Sequence, residues 1–204
     1  MYQIKCDSNI LYDPRDEELI LQNPKCSLGS NNVGSASFTI LPTHPYFHKL
    51  QKLKSIIEIK QDNSIIFRGR MTADNQNINN ILAVDVEGAL GFANDSIIPP
   101  FNFPDEFPEA ATAENVVAFL LGWVLDQHNS QVETWQQLKL GKVTVADPNN
   151  YITRSSTEYT STWDTLKSKF FESSLGGHLT IRHEDDGNYV DYVDKFELTN
   201  TQRI

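Results

Sequence analysis

Sulfur, basic charge and long apolar runs are all scarce in this 204-residue chain, and each shortage excludes something. There are only two cysteines, Cys6 and Cys26. They fall in strands expected to be neighbours, where a disulfide is geometrically allowed although nothing demands one. No segment approaches the roughly 18 consecutive apolar residues of a membrane-spanning helix, so no membrane insertion by this chain is expected. The N-terminal MYQIKCDSN lacks the apolar core and cleavage site of a secretory signal, which makes synthesis in the cytoplasm the expectation. Lysine and arginine number 17 against 27 aspartates and glutamates, a net charge of −10. That balance argues against a sequence-reading nucleic-acid binder, which needs a basic stripe to neutralise phosphates. It is compatible with a surface past which DNA slides, because an acidic wall repels the phosphate backbone. No G-x-S-x-G elbow occurs, and neither cysteine has a histidine beside it in sequence.

What the chain does have is alternation. Between Ser55 and Leu90 three β-type runs are separated by polar turns at Gln61–Asn63 and Asp74–Asn80. Ile57 and Ile59 oppose Glu58 and Lys60; Ile65, Phe67 and Met71 oppose Ile66, Arg68 and Arg70; Leu82, Val84 and Val86 oppose Ala83, Asp85 and Glu87. This is an antiparallel meander with one apolar and one charged face. Its apolar face must be covered by closure into a barrel or by packing on another element.

Upstream, Tyr2, Ile4 and Cys6 alternate in a first strand that ends at Asp7–Asn9, and Asp13–Arg15 marks a loop. Glu18–Leu28 reads as a strand interrupted by Pro24, hence an edge or a bulge. Ser35–Leu41 alternates again. Thr43–Lys54 has helical character, with Pro45 in a first-turn position and Phe47, Leu50 and Lys54 at helical spacing.

Downstream, Asn94–Pro108 contains four prolines and three phenylalanines and is expected to wrap as a connector held by its aromatics. Thr112 opens a helix over Ala113–His128, with Val116, Leu120, Trp123 and Val124 on one face and Asn129 at its end. A short turn at Gln131–Trp135, a strand at Leu138–Val145 and a turn at Asp147–Asn150 follow. Ser161 or Thr162 caps a second helix carrying Trp163, Leu166 and Phe170, stopped by Gly176 and Gly177. A hairpin follows, His178–His183 and Tyr189–Val193. Lys195–Ile204 reads as the start of a further strand, as if the chain were a fragment.

No catalytic, cofactor or metal site is expected. His44 and His48 are four apart, but Pro45 and the lack of further ligands disfavour zinc. His178 and His183 point to opposite faces of their strand, and Glu184–Asp186 lacks the ligand register of a calcium loop. Trp123 and Trp163 are assigned to helix cores, which leaves Trp135 as the aromatic to consider for carbohydrate contact. Arg68 and Arg70 face Asp85 and Glu87, either as cross-strand ion pairs or as charges that set the register of a subunit interface.

The segments LYDPRDEELILQNPKCSLGSNNVGSASFTILPTHPYF, IIFRGRM and EGALGFANDSIIPPF, followed by HNSQVETWQQLKLGKVTV, STWDTLKSKFFESSLGGHLTIR and DYVDKFELTNTQ, carry a family likeness in their order and spacing. Together they resemble the N-terminal region of phage minor structural proteins, also called prophage tail or tail endopeptidase proteins. The resemblance implies an α+β, mainly β chain of the phage baseplate-hub type. A tube-protein-like antiparallel β-barrel at 1–93 would be followed by smaller α/β pieces: a connector and helical domain at 94–160, and a helix with a hairpin at 161–204. It implies a structural subunit, a homotrimer at the virion tail tip that closes the distal end of the tail tube. Its partners would be a distal tail protein, a tape-measure protein and receptor-binding or wall-hydrolase modules. Any peptidase activity would belong to domains attached beyond this chain. A peptidoglycan hydrolase and a carbohydrate-binding module are the alternative readings.

Overall fold

The computed structural model describes residues 1–76, 81–104, 112 and 114–195. Contacts divide the chain into two compact units, Met1–Phe92 with His183–Asp186, and Ala93–Arg182 with the residues from Gly187 onward.

The first unit is built on seven strands: β1 (Tyr2–Cys6), β2 (Asn9–Tyr12), β3 (Gln22–Ser27), β4 (Ser35–Ile40), β5 (Ile56–Gln61), β6 (Ser64–Gln76) and β7 (Leu82–Gly88). They form one sheet in the order β2-β1-β5-β6-β7-β4-β3, with every neighbouring pair antiparallel. The sheet is a curled half-barrel whose edge strands are β2 and β3, not a ring of strands closed by hydrogen bonds. Its concealed face is the one the alternation marks. Ile57, Ile59, Phe67, Met71, Leu82, Val84 and Val86 are buried there, joined by Ile4, Cys6, Leu11, Ala36, Phe38 and Ile40.

Pro24 behaves as its chemistry requires. β3 is an edge strand with all six residues exposed, and its register against β4 slips between Gln22 and Lys25, around the proline. Other local readings are corrected. β2 is an additional strand immediately after the turn at Asp7. The β5–β6 register jumps from Ile59↔Phe67 to Lys60↔Ile65, so Ile66 is the extra residue of a bulge and packs against the core, not on the polar face. β6 runs on through Asp74 and Asn75, opposite Val84 and Ala83, where a turn is expected from the sequence. Residues 77–80 of that expected turn lie outside the described residues.

Thr43–Lys54 forms a series of turns, not a helix. Pro42 and Pro45 remove backbone donors, His44 accepts the Tyr46 N–H through Nδ1, and Leu53 takes a left-handed backbone with φ of 61°. The segment still covers the sheet, with Phe47 buried and Tyr46 and Leu50 packed against the core. Cys6 and Cys26 are free and are not in neighbouring strands: four strands separate β1 from β3. Burial pushes the Cys6 thiol up to about 11.

The second unit begins in the turns of Ala93–Asp95 and the short strands β8 (Ile97–Ile98) and β9 (Phe101–Asn102). It continues through helix α1 (Val116–Asn129), strand β10 (Leu138–Val143), and the short strands β11 (Ser155–Ser156) and β12 (Thr160–Ser161). Helix α2 (Thr162–Leu166) runs into a π-helical turn at Lys167–Phe171, and the hairpin strands β13 (His178–Glu184) and β14 (Gly187–Val193) follow. β9 pairs with β11 and β8 with β12, so the proline-rich connector is held by these bridges as well as by its aromatics. Phe101 and Phe103 pack on Trp123 at 4.8 and 5.1 Å, and Phe103 on Phe119 at 6.0 Å. Phe107 and Pro108 lie outside the described residues, as do Ala113 and the expected final strand from residue 196 onward.

α1 starts three residues later than the sequence suggests, at Val116 after Asn115, and ends at Asn129 as expected. Ser161 caps α2 by accepting the Asp164 N–H at 3.0 Å. Gly176 and Gly177 follow with φ of 65° and 83°. The buried face of α2 carries Thr162, Thr165 and Leu166, while Trp163 is half-buried against Phe171 at 5.7 Å. β10 runs parallel to β14, with a bulge between Leu140 and Val143. There the Asp191 carboxylate accepts the Lys142 N–H at 2.6 Å and the Arg182 Nε–H at 3.1 Å.

Gly69 and Gly88 face each other across β6 and β7. A Cβ on Gly69 would stand 2.1 Å from the Glu87 carbonyl oxygen, and one on Gly88 would stand 2.2 Å from that of Val33. The Gly69→Ala variant is therefore expected to lose about 3 kcal/mol or more of stability through forced backbone movement, read as a lowered urea midpoint. A midpoint within experimental error of the parent would contradict this packing.

Candidate functional site

The charged face of β5, β6 and β7 is where the sequence places its candidate interface. The β5–β6 ladder sets Arg68 opposite Glu58, and the β6–β7 ladder sets Arg70 opposite Glu87. Arg68 Nε–H donates to Glu58 Oε1 at 2.8 Å, and Arg70 donates to Glu87 Oε2 through Nη2 at 3.0 Å and Nε at 3.2 Å. The Arg70 guanidinium also lies over the Phe92 ring, 5.6 Å from its centroid. Arg70–Glu87 is a pairing the sequence anticipates; Arg68 pairs with β5, not with Asp85. The reason is the antiparallel register Gly69↔Gly88, Arg70↔Glu87 and Met71↔Val86, which carries Arg68 past the end of β7 and leaves Asp85 opposite Ala73. Both arginine side chains are only 12% exposed, so reversing Arg68 would strand a carboxylate beside Glu58 and test folding before assembly. Asp85 is the exposed charge of the four, beside a shallow depression of about 410 Å³ that also meets Ser37, Thr72 and Glu87.

Two histidines of the first unit, His44 and His183, serve the fold. His44 is buried, with Nε2 2.9 Å from the Leu11 carbonyl oxygen, to which it donates while Nδ1 accepts from Tyr46. His183 is buried, and its Nε2 accepts the Arg68 backbone N–H at 3.2 Å. Among the described residues no group of three or more histidine, cysteine, aspartate or glutamate side chains is placed to hold a metal ion. Likewise, no helix among them is long and apolar enough to cross a membrane.

Trp135 sits in the 3-10 turn Thr134–Gln136, half-buried, and its indole N–H donates to Glu133 Oε2 at 2.7 Å. The indole's one donor is therefore already engaged.

The most enclosed polar cluster lies in the second unit, and sequence reasoning missed it. His128, Ser96 and Thr162 are all buried. His128 Nε2 is 3.1 Å from the Gln136 carbonyl oxygen and Nδ1 is 2.7 Å from Ser96 Oγ, which is 2.6 Å from Thr162 Oγ1. Because a carbonyl only accepts, Nε2 carries the proton, Nδ1 accepts from the Ser96 hydroxyl, and Ser96 accepts from Thr162. Burial lowers the His128 pKa below its ordinary 6.5. The signal was present in the sequence: His128 follows Leu121 by seven and Val124 by four, on the apolar stripe of α1. With both ring nitrogens engaged and the serine shared with a second hydroxyl, this chain of bonds ties α1, the Ser96 segment and α2 together and presents no nucleophile to solvent.

No protein-family model matches the chain, and no curated protein does. Solved structures with a similar fold include two tail proteins. The tail protein from Neisseria meningitidis MC58 matches 93% of this chain and 50% of its own length, with a TM-score of 0.55 at 10% identity. The 43 kDa tail protein of prophage MuSo2 from Shewanella oneidensis matches 93% of this chain and 52% of its own, with a TM-score of 0.47, also at 10% identity. The chain thus spans about half the length of these tail proteins.

A pH dependence follows from His128. Above pH 6.5 it is neutral in both folded and unfolded chains and contributes no slope. Below 6.5 the unfolded chain takes up a proton that the folded one resists, so stability falls until the pH passes the lowered folded-state value. All three tryptophans belong to the second unit, so their fluorescence reports its unfolding. Denaturation followed by this signal between pH 7.5 and 5 is expected to show a falling midpoint, and the His128→Gln variant a flatter profile. Identical profiles would refute the assignment.

Proposed function

We propose that the chain is a structural subunit of a phage or prophage tail, and that copies of it form a ring at the tail tip in the manner of a baseplate hub. The observation that carries this reading is the extent of the likeness to the Neisseria meningitidis tail protein, which runs over 93% of the chain and is not confined to one motif. The order and spacing of the sequence segments agree with it. The proposed work is mechanical: the curled sheet contributes to the wall of a conduit, and the ring stands at the end of the tail tube. A distal tail protein, a tape-measure protein and wall-contacting modules are the partners this role calls for. The polar face of β6 and β7 is proposed to meet a neighbouring subunit, with Asp85 the charge available for that contact.

Sedimentation equilibrium across a wide concentration range tests the proposal. A monomer–trimer equilibrium is expected, weakened by Asp85→Lys with no change in thermal midpoint. A chain that stays monomeric at every concentration would overturn ring formation by this chain. Clearing of a peptidoglycan suspension by the chain alone would overturn the purely structural role.

A further inference from the structure

Charge is segregated within the first unit. From Leu19 to Ile57 there are four lysines and no carboxylate, in a chain with 27 acidic residues. Three of those lysines, Lys49, Lys52 and Lys54, are exposed on the turns that precede β5. Between the last two stands Leu53, a large apolar side chain left 52% exposed. Its backbone has φ of 61°, a region that leucine disfavours. The turn is fastened there: Leu53 N–H donates to the Met71 carbonyl at 2.8 Å, and Ser55 N–H to that of Gln51 at 2.9 Å. The buried Ser55 hydroxyl accepts the Gln51 N–H at 3.0 Å. A leucine is thus held in a strained backbone, exposed, with a cation on each side.

The same unit carries the complementary surface. Glu17 and Glu18 border an open depression of about 470 Å³ lined also by Ile20, Leu41 and Pro45. Ile20 is 51% exposed. Lys52, Lys54, Glu17 and Glu18 take part in no ion pair among the described residues. Two exposed surfaces of one unit therefore match in chemistry: an apolar knob between cations and an apolar hollow bordered by anions. Knob against knob and hollow against hollow would set like charges together, which leaves knob in hollow as the favoured register.

We propose that Leu53, flanked by Lys52 and Lys54, docks into the Glu17–Glu18 depression of a second copy of this chain. The inference rests on the reading that copies of the chain assemble. The contact joins different patches, so it closes a ring when repeated around an axis, or a pair when made reciprocally about a twofold.

The test compares sedimentation equilibrium of the parent with two charge reversals, Lys52→Glu/Lys54→Glu and Glu17→Lys/Glu18→Lys, and with Leu53→Gly. Each reversal alone is expected to weaken self-association by about tenfold or more, and an equimolar mixture of the two to associate more than either alone yet less than the parent, because a three-membered ring made of two kinds keeps one like-charged contact. Leu53→Gly is expected to weaken association while holding or raising the thermal midpoint, because glycine accepts the positive φ. That combination separates a lost contact from a damaged fold. Association that ignores both reversals would overturn this contact and leave the ring reading standing. Sensitivity to the lysines with indifference to Glu17 and Glu18 would also overturn it, in favour of a different acidic partner. Assembly that obeys the charge rules but yields dimers would support the contact and overturn the trimer. A parent that never associates would overturn both.

Discussion

Burial of one face of the seven-stranded sheet is the constraint on which the rest of the first unit depends. Strand side chains alternate, so concealing Ile57, Ile59, Phe67, Met71, Val84 and Val86 commits Glu58, Arg68, Arg70, Asp85 and Glu87 to the opposite face. A slip of one residue would exchange the two sets, and the cost of exposing such a core fixes the register. The cross-strand ion pairs are consequences of that register. Arg68 meets Glu58 and Arg70 meets Glu87 because Phe67 and Met71 are held from the other side. The close approach at Gly69 belongs to the same geometry, since the ladder brings the Glu87 carbonyl where a Cβ would stand; at Gly88 it is Val33, in the turn before β4, whose carbonyl does so.

The second unit is organised on a different principle. Among the described residues, four of its seven strands are only two residues long and β10 is bulged, so polar groups do much of the joining. Asn129 donates to the Leu138 carbonyl and accepts the Leu138 N–H, which fastens the end of α1 to the start of β10. Asp147, buried, accepts the N–H groups of Tyr151 and Ile152 and so closes its loop. Asp191 fills the bulge of β10, where Gly141 leaves room for its carboxylate. Together with the His128 chain of hydrogen bonds, these contacts fix the relative placement of elements that share little ladder. Such joints are directional, so they specify geometry more sharply than apolar contact does, and they fail abruptly when one partner is removed.

Local period and punctuation were legible before any coordinates. The buried residues of β4, β5 and β7 are the ones their alternation names, Pro24 marks an edge and a bulge at once, and Ser161 caps the second helix as expected, although that helix and its π-helical turn end at Phe171, ahead of the Gly176–Gly177 pair. The mainly-β character and the likeness to tail proteins were also readable. Features that depend on distant partners were not. The Thr43–Lys54 segment has helical spacing, yet its conformation is decided by His44 reaching Leu11 and Leu53 reaching Met71, contacts that no local pattern contains. The partner of Arg68 depended on the bulge that shifts β6 against β5. Of the candidate site, the Arg70–Glu87 pair was visible from face and spacing. The His128 cluster was not, because Ser96 and Thr162 are brought to it from 32 and 34 residues away.

Where the chain's charged groups are committed bears on what it is built to do. A catalytic site concentrates perturbed acids and bases around a concavity where substrate can reach them. Here Asp13 and His128, two of the perturbed groups, are engaged by neighbours within the chain. Asp13 is held well below the usual carboxylate range by Arg15, which grips it through Nε and Nη2, and His128 is lowered by burial between Ser96 and Gln136. Arg68, Arg70 and Asp191 are likewise engaged within their own units. On the first unit, exposed lysines gather around Leu53 and two glutamates stand beside Ile20, each set next to apolar surface. Internal pairing of the buried groups, with charged apolar patches left on the surface, suits the structural role proposed for the chain.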